Sequence, residues 1–280
     1  MKDIFQANLL AGKAAFITGG GSGINQCIAE RYAAAGAAVA IVGRDLAKAE
    51  RAAAHIVALG GQAIGLSADV RDYDQVRAAM AQTHKRFGRL DIVVAGAAGN
   101  FVANAKDMSA KGFRTVVDID LVGSFNTAHA AYDYLSKPGG LVVAISAVQG
   151  SMPMRTQSHV CAAKAGVDML MRSLAIEWGS VGIRCVGIAP GPVGDTEGMR
   201  RLAPDGERSW ERLLRHIPAG RAGQREEIAA LALFLASGAA DYINGVVLPI
   251  DGGQTAVGSY EFGAMLQDSL QSDQAAGGAA

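Results

Sequence analysis

The sequence predicts a single α/β domain built on a doubly wound parallel sheet with helices on both faces. Short apolar runs of strand length alternate with stretches of helical length almost to the end of the chain. The first of these runs breaks into a glycine-rich turn that leads straight into a helix. With 280 residues, half of them hydrophobic, the chain is long enough to bury one large core of this kind.

The first strand ends at Thr18, and an Ala-rich pattern after the turn predicts a helix over 24–35. The further strands are predicted at residues 38–42, 63–67, 92–95, 141–145, 183–189 and 246–250. The helices between them are predicted at residues 46–59 with Asp45 as N-cap, about 72–87, 109 towards 134, 158–178 and 226–235. Such alternation implies parallel strands joined by helical crossovers, with ligands bound beyond the carboxyl ends of the strands.

An irregular segment over about 192–225 precedes the last helix and strand. A segment of this length inside one domain is usually functional, and Arg200, Arg201 and Trp210 make it a candidate substrate lid. Beyond residue 270 the Gln, Ser, Gly and Ala composition predicts a disordered tail. We therefore expect one domain over 1–270 and a tail over 271–280.

The glycine-rich turn after the first strand predicts an anion site. Unpaired backbone N–H groups and the helix dipole both face such a turn, and glycine lets the backbone approach a diphosphate without a Cβ in the way. A tight turn also needs glycine, so the strand and the helix on either side carry the inference. The residues expected at a dinucleotide are Gly19, Gly21, Ser22, Gly23 and Ile24.

The end of the second strand bears on which dinucleotide binds. An NAD site would place an acidic residue about 20 positions beyond the glycines, where it binds the ribose hydroxyls. Here that count reaches Gly43, and Arg44 follows it. An arginine at this position suits the 2′-phosphate of NADP. The alternative is that Arg44 is only a solvated loop residue. Asp45 is a rival ribose ligand but fits better as a helix cap. We expect NADPH rather than NADH, with Asp69 either bonded to the adenine amino group or capping the next turn.

The balance of charged residues and the number of cysteines indicate which binding partners and which cellular compartment to expect. The chain has 26 basic and 26 acidic residues, which is no electrostatic footprint for nucleic acid or for an anionic membrane. Its three cysteines lie far apart without a C-x-x-C spacing, as is typical of a reducing compartment, and its histidines show no metal-ligand spacing. The first residues lack the apolar core of a signal peptide. We expect a cytoplasmic protein without a nucleic-acid partner, a membrane span or a metal site.

Several short motifs together resemble the short-chain dehydrogenase/reductase family over about residues 10–255. They are the glycine turn at 18–24, Asp69-Val70, the segment 158–164, Pro190-Gly191-Pro192 and Asp251-Gly252-Gly253. The resemblance implies a Rossmann-like fold. It also implies that the nicotinamide cofactor contacts, beyond the turn, Asp69, Val70, Ala97, Lys164, Pro190, Gly191, Val193 and Thr196.

The sequence departs from this family at the catalytic positions. In the family a Tyr precedes the Lys by four residues, and a Ser precedes that Tyr by thirteen. Lys164 is present, but the Tyr position is Val160 and the Ser position is Ala147, with Ser146 one residue short. The acid that ordinarily protonates a carbonyl oxygen is therefore missing.

A second set of motifs resembles the 2,4-dienoyl-CoA reductases, most closely the peroxisomal-type branch, which likewise lacks the Tyr. The motifs are 97–101, Asp118-Ile119-Asp120, His159 with Ala163-Lys164, 196–202 and Asn244-Gly245. Two further departures remain, because Asn25 occupies the third glycine position and 95–98 lacks the usual asparagines.

The second resemblance implies NADPH-dependent reduction of a 2,4-dienoyl-CoA thioester in unsaturated fatty acid β-oxidation, by a homotetramer. Asp120 and Lys164 would be catalytic, with a positioned water supplying the proton; alternatively, Asp120 only neutralises Lys164. The residues implied for the substrate are Asn100, Phe101, Arg71, His159 and Arg201, and for His159 a packing role is an equal alternative. Two other functions stay open, a reductase of another enoyl or ketoacyl thioester and a non-catalytic NADP-binding redox sensor.

Overall fold

The computed structural model describes residues 6–194, 196 and 214–257. Their centre is one seven-stranded sheet in which every neighbouring pair of strands is parallel, in the order β3-β2-β1-β4-β5-β6-β7. The strands are β1 Ala14–Thr18, β2 Ala38–Gly43, β3 Gln62–Ser67, β4 Ile92–Ala95, β5 Gly140–Ile145, β6 Ile183–Pro190 and β7 Val247–Ile250. The predicted doubly wound parallel sheet is confirmed.

Helices cover both faces of this sheet. They are α1 Gly23–Ala34, α2 Leu46–Ala58, α3 Tyr73–Phe87, α4 Ala110–Val117, α5 Gly123–Ala131, α6 Ser158–Trp178 and α7 Arg225–Ala236. Two large apolar clusters, one on each face, bury the strand side chains together with the inner faces of these helices. None of the helices in the described part of the chain combines the length and apolar character needed to cross a bilayer.

Most element bounds agree with the predicted ones to within one residue. Asp45 is the N-cap of α2, because its Oδ1 accepts a hydrogen bond from the Lys48 N–H at 3.0 Å. Asp72 caps α3 and Ser109 caps α4 in the same way. The segment 192–225 is described only at 192–194, 196 and 214–225, so most of the predicted lid and all of the predicted tail lie outside the described residues.

The predicted helical stretch from 109 towards 134 is confirmed over residues 110–131, but it is not one regular α-helix, because a π-helical turn over Asp118–Val122 lies between α4 and α5. Such a turn holds one more residue than an α-turn, so it changes the direction in which the next side chains point. The Ser124 hydroxyl donates to the carbonyl of Asp120 at 2.5 Å, and the Thr127 hydroxyl donates to the carbonyl of Gly123 at 2.7 Å. These hydroxyls hydrogen-bond to backbone carbonyls at the π-helical turn, where the regular hydrogen-bond pattern of the α-helix is interrupted.

The strand order reverses between β1 and β4, which are neighbours although β2 and β3 separate them along the chain. Asp91 anchors this junction: its carboxylate accepts hydrogen bonds from the Ala14 N–H at 2.9 Å and the Ser136 hydroxyl at 2.8 Å, and it pairs with Arg89. In a parallel sheet the crevice at such a reversal opens at the carboxyl ends of the strands. The fold therefore places a ligand site beyond Thr18 and Ala95.

Candidate active site

A cleft of about 1300 Å³ runs along the carboxyl edge of the sheet. The ends of β1, β4, β5 and β6 form its floor, and the first turn of α1 and the side of α6 contribute to its walls. Among the residues that the sequence predicts for a cofactor, those on the cleft wall are Gly19, Gly21, Ser22, Gly23, Ile24, Arg44, Asp69, Val70, Ala97, Lys164, Pro190, Gly191, Val193 and Thr196.

The glycine turn has the geometry expected of an anion site. Gly19 and Gly23 adopt positive φ angles of 68° and 60°, which side-chain-bearing residues rarely adopt. Ser22 is the N-cap of α1 but its side chain makes no capping hydrogen bond. The first N–H groups of α1 therefore lie at the cleft without a side-chain cap, as a bound diphosphate requires.

Two basic side chains lie together on the cleft wall beyond β2. Arg44 is exposed, and Lys48 follows it by four residues, one turn into α2. The stem of Lys48 packs over the turn, since a Cβ built on Gly21 would lie 3.1 Å from its Cγ. The sequence analysis singled out Arg44 and missed Lys48, whose signal was only its spacing of four residues from Arg44.

Asp69 and Arg71 form a bidentate pair at the end of β3. The Arg71 side chain donates through Nε and Nη2 to the Asp69 carboxylate, with Nε 3.0 Å from Oδ1. These hydrogen bonds lower the pKa of Asp69, so the carboxylate is ionised at neutral pH. Asp69 lies on the cleft wall while Arg71 does not.

The buried centre of the cleft is an ion pair between Lys164 of α6 and Asp120 of the π-helical turn. The Lys164 Nζ lies 3.0 Å from Asp120 Oδ2 and donates to the carbonyl of Ile145 at 2.9 Å. Asp120 Oδ1 accepts a hydrogen bond from the Gly99 N–H at 2.7 Å. The two residues are only 1% (Asp120) and 5% (Lys164) exposed.

Oδ2 of Asp120 keeps a free acceptor direction despite this ion pair. It approaches Lys164 at ion-pair distance but accepts no hydrogen bond from the described residues. Burying such an oxygen is costly unless a water or a ligand bonds to it. The side chain at the position of the absent phenol is Val160, which also lies on the cleft wall.

A second buried carboxylate, missed in the sequence analysis, lies one turn along α6 from Lys164. Asp168 is 6% exposed, and its Oδ1 accepts a short hydrogen bond from the hydroxyl of Ser146, a residue of the cleft wall. Burial raises the pKa of Asp168, against the opposing hydrogen bond from Ser146 and the charges of Arg172 and Lys164. Its sequence signal was the spacing of four residues from Lys164, on the same face of one helix.

Several buried polar atoms without a hydrogen-bond partner lie around Asn100, Gln157 and His159, on and behind the cleft wall. Within the described chain, buried atoms without a hydrogen-bond partner include Asn100 Oδ1, Gln157 Oε1 and both ring nitrogens of His159, besides Asp120 Oδ2. Native proteins carry few such atoms, and those that occur call for a water or a ligand. Their grouping marks this end of the cleft as the place where a second ligand would be bound.

His159 and Phe101 lie together behind the cleft wall. Their ring centroids are 4.4 Å apart, and the Gln157 side chain donates to the carbonyl of Phe101 at 2.8 Å. Burial lowers the pKa of His159, although the carbonyl of Phe101 and the charge of Asp120 act in the opposite direction, so the imidazole is neutral at pH 7. Asn100 faces the cleft, whereas Phe101, His159 and Arg71 do not line it, and Arg201 lies outside the described residues.

Titratable side chains do not group as metal ligands within the described residues. No three side chains of His, Cys, Asp or Glu lie close enough there to hold an ion.

Comparison with known proteins identifies relatives along almost the whole chain. A family model described as enoyl-(acyl carrier protein) reductase matches residues 19–255. The (3E)-enoyl-CoA-producing peroxisomal 2,4-dienoyl-CoA reductase of Arabidopsis thaliana is 43% identical over 263 residues, which cover 90% of this chain and 88% of the relative.

Two solved structures are similar in fold as well as sequence. A short-chain type dehydrogenase/reductase from Mycobacterium marinum is 34% identical with a TM-score of 0.81, and the match covers 88% of this chain and 96% of that one. A gluconate 5-dehydrogenase from Burkholderia cenocepacia, solved in complex with NADP and tartrate, is 32% identical with a TM-score of 0.82 and the same coverage of both chains, 88% and 96%.

The raised pKa of Asp168 predicts how its removal changes stability with pH. A carboxyl whose pKa is higher in the folded than in the unfolded chain favours folding in acid, and this contribution is lost as pH rises through the folded value. Asp168→Asn keeps an acceptor for Ser146 and removes the ionisation, so we expect it to be more stable than the wild type at pH 8.

Urea unfolding at pH 8 and pH 4 measures this difference. The advantage of the variant should shrink at the lower pH, since the wild-type carboxyl then takes up its proton. A variant that is less stable than the wild type at pH 8 would contradict the raised pKa.

Proposed function

The chain belongs to the short-chain dehydrogenase/reductase family of oxidoreductases, and from this premise we propose that it reduces 2,4-dienoyl-CoA thioesters with NADPH. The observation that carries the proposal is the buried pair of Lys164 and Asp120 beside Val160. A ketone reductase needs an acid over its carbonyl oxygen, and this cleft has no phenol there. A dienoyl thioester needs no acid at that place, because the dienolate that forms on hydride addition can be protonated on carbon.

The proposed cofactor is NADPH, and the residues of the groove fit it. The uncapped N-terminus of α1 suits the diphosphate, and Arg44 with Lys48 suits a 2′-phosphate. The carboxylate of Asp45, the rival ligand, already accepts the N–H of Lys48 as the cap of α2. Lys164 would hold the ribose next to the nicotinamide ring, at the place where its ammonium also stabilises developing negative charge.

The reduction proposed here delivers a hydride and a proton to different carbons. When bound, the reduced nicotinamide supplies a hydride to Cδ of the dienoyl thioester. The electron pairs of the two double bonds then shift towards the thioester, so that a dienolate with its charge on oxygen results. A proton added at Cα restores the thioester and leaves a 3-enoyl product, which is the kind of product named for the Arabidopsis relative.

The proton donor in this proposal is a water bound beside the ion pair of Asp120 and Lys164. Asp120 Oδ2 has a free acceptor direction for one of its hydrogens, and the buried ammonium of Lys164 lies 3.0 Å away. The Lys164 charge favours loss of a proton from the water, and Asp120 orients it. The hydroxide that remains would be stabilised by the Lys164 ammonium and take up a proton from solvent. Asn100 would line the acyl slot, with Phe101 and His159 forming the layer behind it.

The described part of α5 and α6 carries exposed apolar side chains that suit a homotetramer. Phe125, Met169 and Ile176 are all exposed on these two helices. A face of this kind is typical of a surface covered by another subunit. We propose a homotetramer in the cytoplasm, the compartment that suits the free thiols of Cys27, Cys161 and Cys185.

A substrate panel tests the proposed activity. We expect the purified protein with NADPH to reduce 2,4-dienoyl-CoA thioesters and to leave ketoacyl-CoA thioesters unreduced. The loss of NADPH absorbance measures the reaction. Turnover of an enoyl- or ketoacyl-CoA instead would favour a reductase of another thioester. NADPH binding without any turnover would favour the redox sensor.

Replacing Arg44 tests the choice of cofactor. Arg44→Asp should weaken NADPH binding by about 1.5–3 kcal/mol, the range for a hydrogen bond to a charged group, and narrow the preference over NADH. Fluorescence titration of both cofactors measures this. Arg51→Asp is the matched control, because it makes the same charge change on an exposed residue of α2 that does not line the cleft. A native protein that prefers NADH contradicts the assignment.

Replacing Asp120 tests its role in proton transfer. Asp120→Ala should lower kcat by about 10²–10⁴-fold, the usual contribution of acid–base catalysis, while the Kd for NADPH stays near native. If Asp120 only neutralises Lys164, the variant loses stability and keeps its turnover. Asp120→Asn, which retains the shape and an acceptor for the Gly99 N–H, separates a loss of chemistry from a loss of fold. Native turnover in a folded variant would refute the role.

A further inference from the structure

Asn25, at the third position of α1, connects the glycine turn to the end of β4. Its side-chain Nδ2 donates to the carbonyl of Gly96 at 2.7 Å, across 71 positions of sequence. Both residues line the cleft, and Asn25 is only 9% exposed. The two residues that depart from the family pattern in the glycine turn and after β4 are therefore in direct contact.

The amide of Asn25 fills the space that a side chain at position 96 would occupy. A Cβ built on Gly96 would lie 2.5 Å from both Nδ2 and Oδ1 of Asn25, closer than real Cβ contacts come. A Cβ on Gly19 would lie 3.1 Å from the same Nδ2. A side chain at position 96 would therefore displace the amide of Asn25 from its place against the carbonyl of Gly96.

The peptide of Gly96 is held from two sides. Its N–H donates to Thr18 Oγ1 at 3.0 Å, while its carbonyl accepts from Asn25. Three residues further along the same segment, the Gly99 N–H donates to the carboxylate of Asp120. A continuous chain of contacts thus runs from the glycine turn through the segment 96–99 to the ion pair.

One atom of Asn25 argues for a role beyond packing. Its Oδ1 is buried and has no hydrogen-bond partner among the described residues. The orientation of the amide follows from the Gly96 carbonyl, which only the NH₂ group can satisfy. An unsatisfied buried acceptor disfavours folding, and proteins tend to keep such features where function needs the geometry.

We propose that Asn25 is a positioning residue for hydride transfer. It sets the separation between the turn that would hold the cofactor diphosphate and the segment 96–99 that supports Asp120. The proposal rests on the reductase function proposed above. Loss of this contact changes the distance and angle of the reacting atoms, to which the rate of hydride transfer is sensitive.

The experiment is a double-mutant cycle with a control on the same helix. The variants are Asn25→Ala, Gly96→Ala and both together, and Asn25→Ser is a second truncation should the alanine variant not fold. Tyr32→Phe is the control, because it removes one buried hydrogen bond from α1, to the carbonyl of Ala232, far from the cleft. The readouts are Tm, the Kd for NADPH, kcat, and the isotope effect with NADPH deuterated at the transferred hydrogen.

Asn25→Ala should lower kcat on the order of 10–100-fold and raise the isotope effect, with a Tm near that of Tyr32→Phe. Gly96→Ala should weaken NADPH binding by about tenfold or more, and the double variant should bind more tightly than Gly96→Ala, because the clash is relieved.

Native kcat and isotope effect in Asn25→Ala or Asn25→Ser would overturn the proposal. So would a Gly96→Ala variant that binds NADPH as the wild type does. If the wild type reduces no acyl thioester, the proposed reductase function is wrong. The Kd values for NADPH of the single and double variants then still show whether Asn25 and Gly96 are coupled in cofactor binding.

Discussion

The geometry at the centre of the cleft depends on one buried ion pair, Lys164 with Asp120. An isolated charge in a protein interior costs several kcal/mol, so each of these groups can be buried only because the other is present and further hydrogen bonds satisfy it. The geometry follows from three separate elements. The long helix α6 positions the ammonium, the end of β5 supplies the Ile145 carbonyl, and a π-helical turn brings the carboxylate to them. The irregular turn is thus a requirement of the site rather than a defect of the helix.

The chemistry of the cleft follows from what surrounds this pair. Val160 presents an apolar side chain where a phenol would act as acid, and the free acceptor of Asp120 lies beside it. An acceptor of this kind can orient a water but cannot protonate an oxygen directly. These features support the proposed substrate, a conjugated thioester whose charge reaches a carbon that a water can protonate.

The same region holds more unsatisfied polar atoms than a core would tolerate. Asn25, Asn100, Gln157 and His159 each bury at least one such atom around the cleft or directly behind it. Each would lower the stability of the fold unless a water or a ligand bonds to it, so together they mark the cleft as a polar site for ligands and water. The buried Asp168 has the same character, since its raised pKa means that folding opposes its ionisation. Stability and function are in tension here, as expected of a catalytic centre.

The sequence by itself determined the sheet, most element bounds and the glycine turn, because periodicity, caps and turn residues act over a few neighbouring positions. Arg44 was identified from its spacing to the glycine turn, and Lys164 from the resemblance to the short-chain dehydrogenase/reductase family. Contacts between distant segments were decided only by the tertiary structure. Asn25 meets Gly96 across 71 positions and Ser146 meets Asp168 across 22, and no local pattern encodes either pair. The π-helical turn at Asp120 was missed for the same reason: its apolar spacing resembles an α-helix, and the need to pair a buried lysine on another helix sets its geometry.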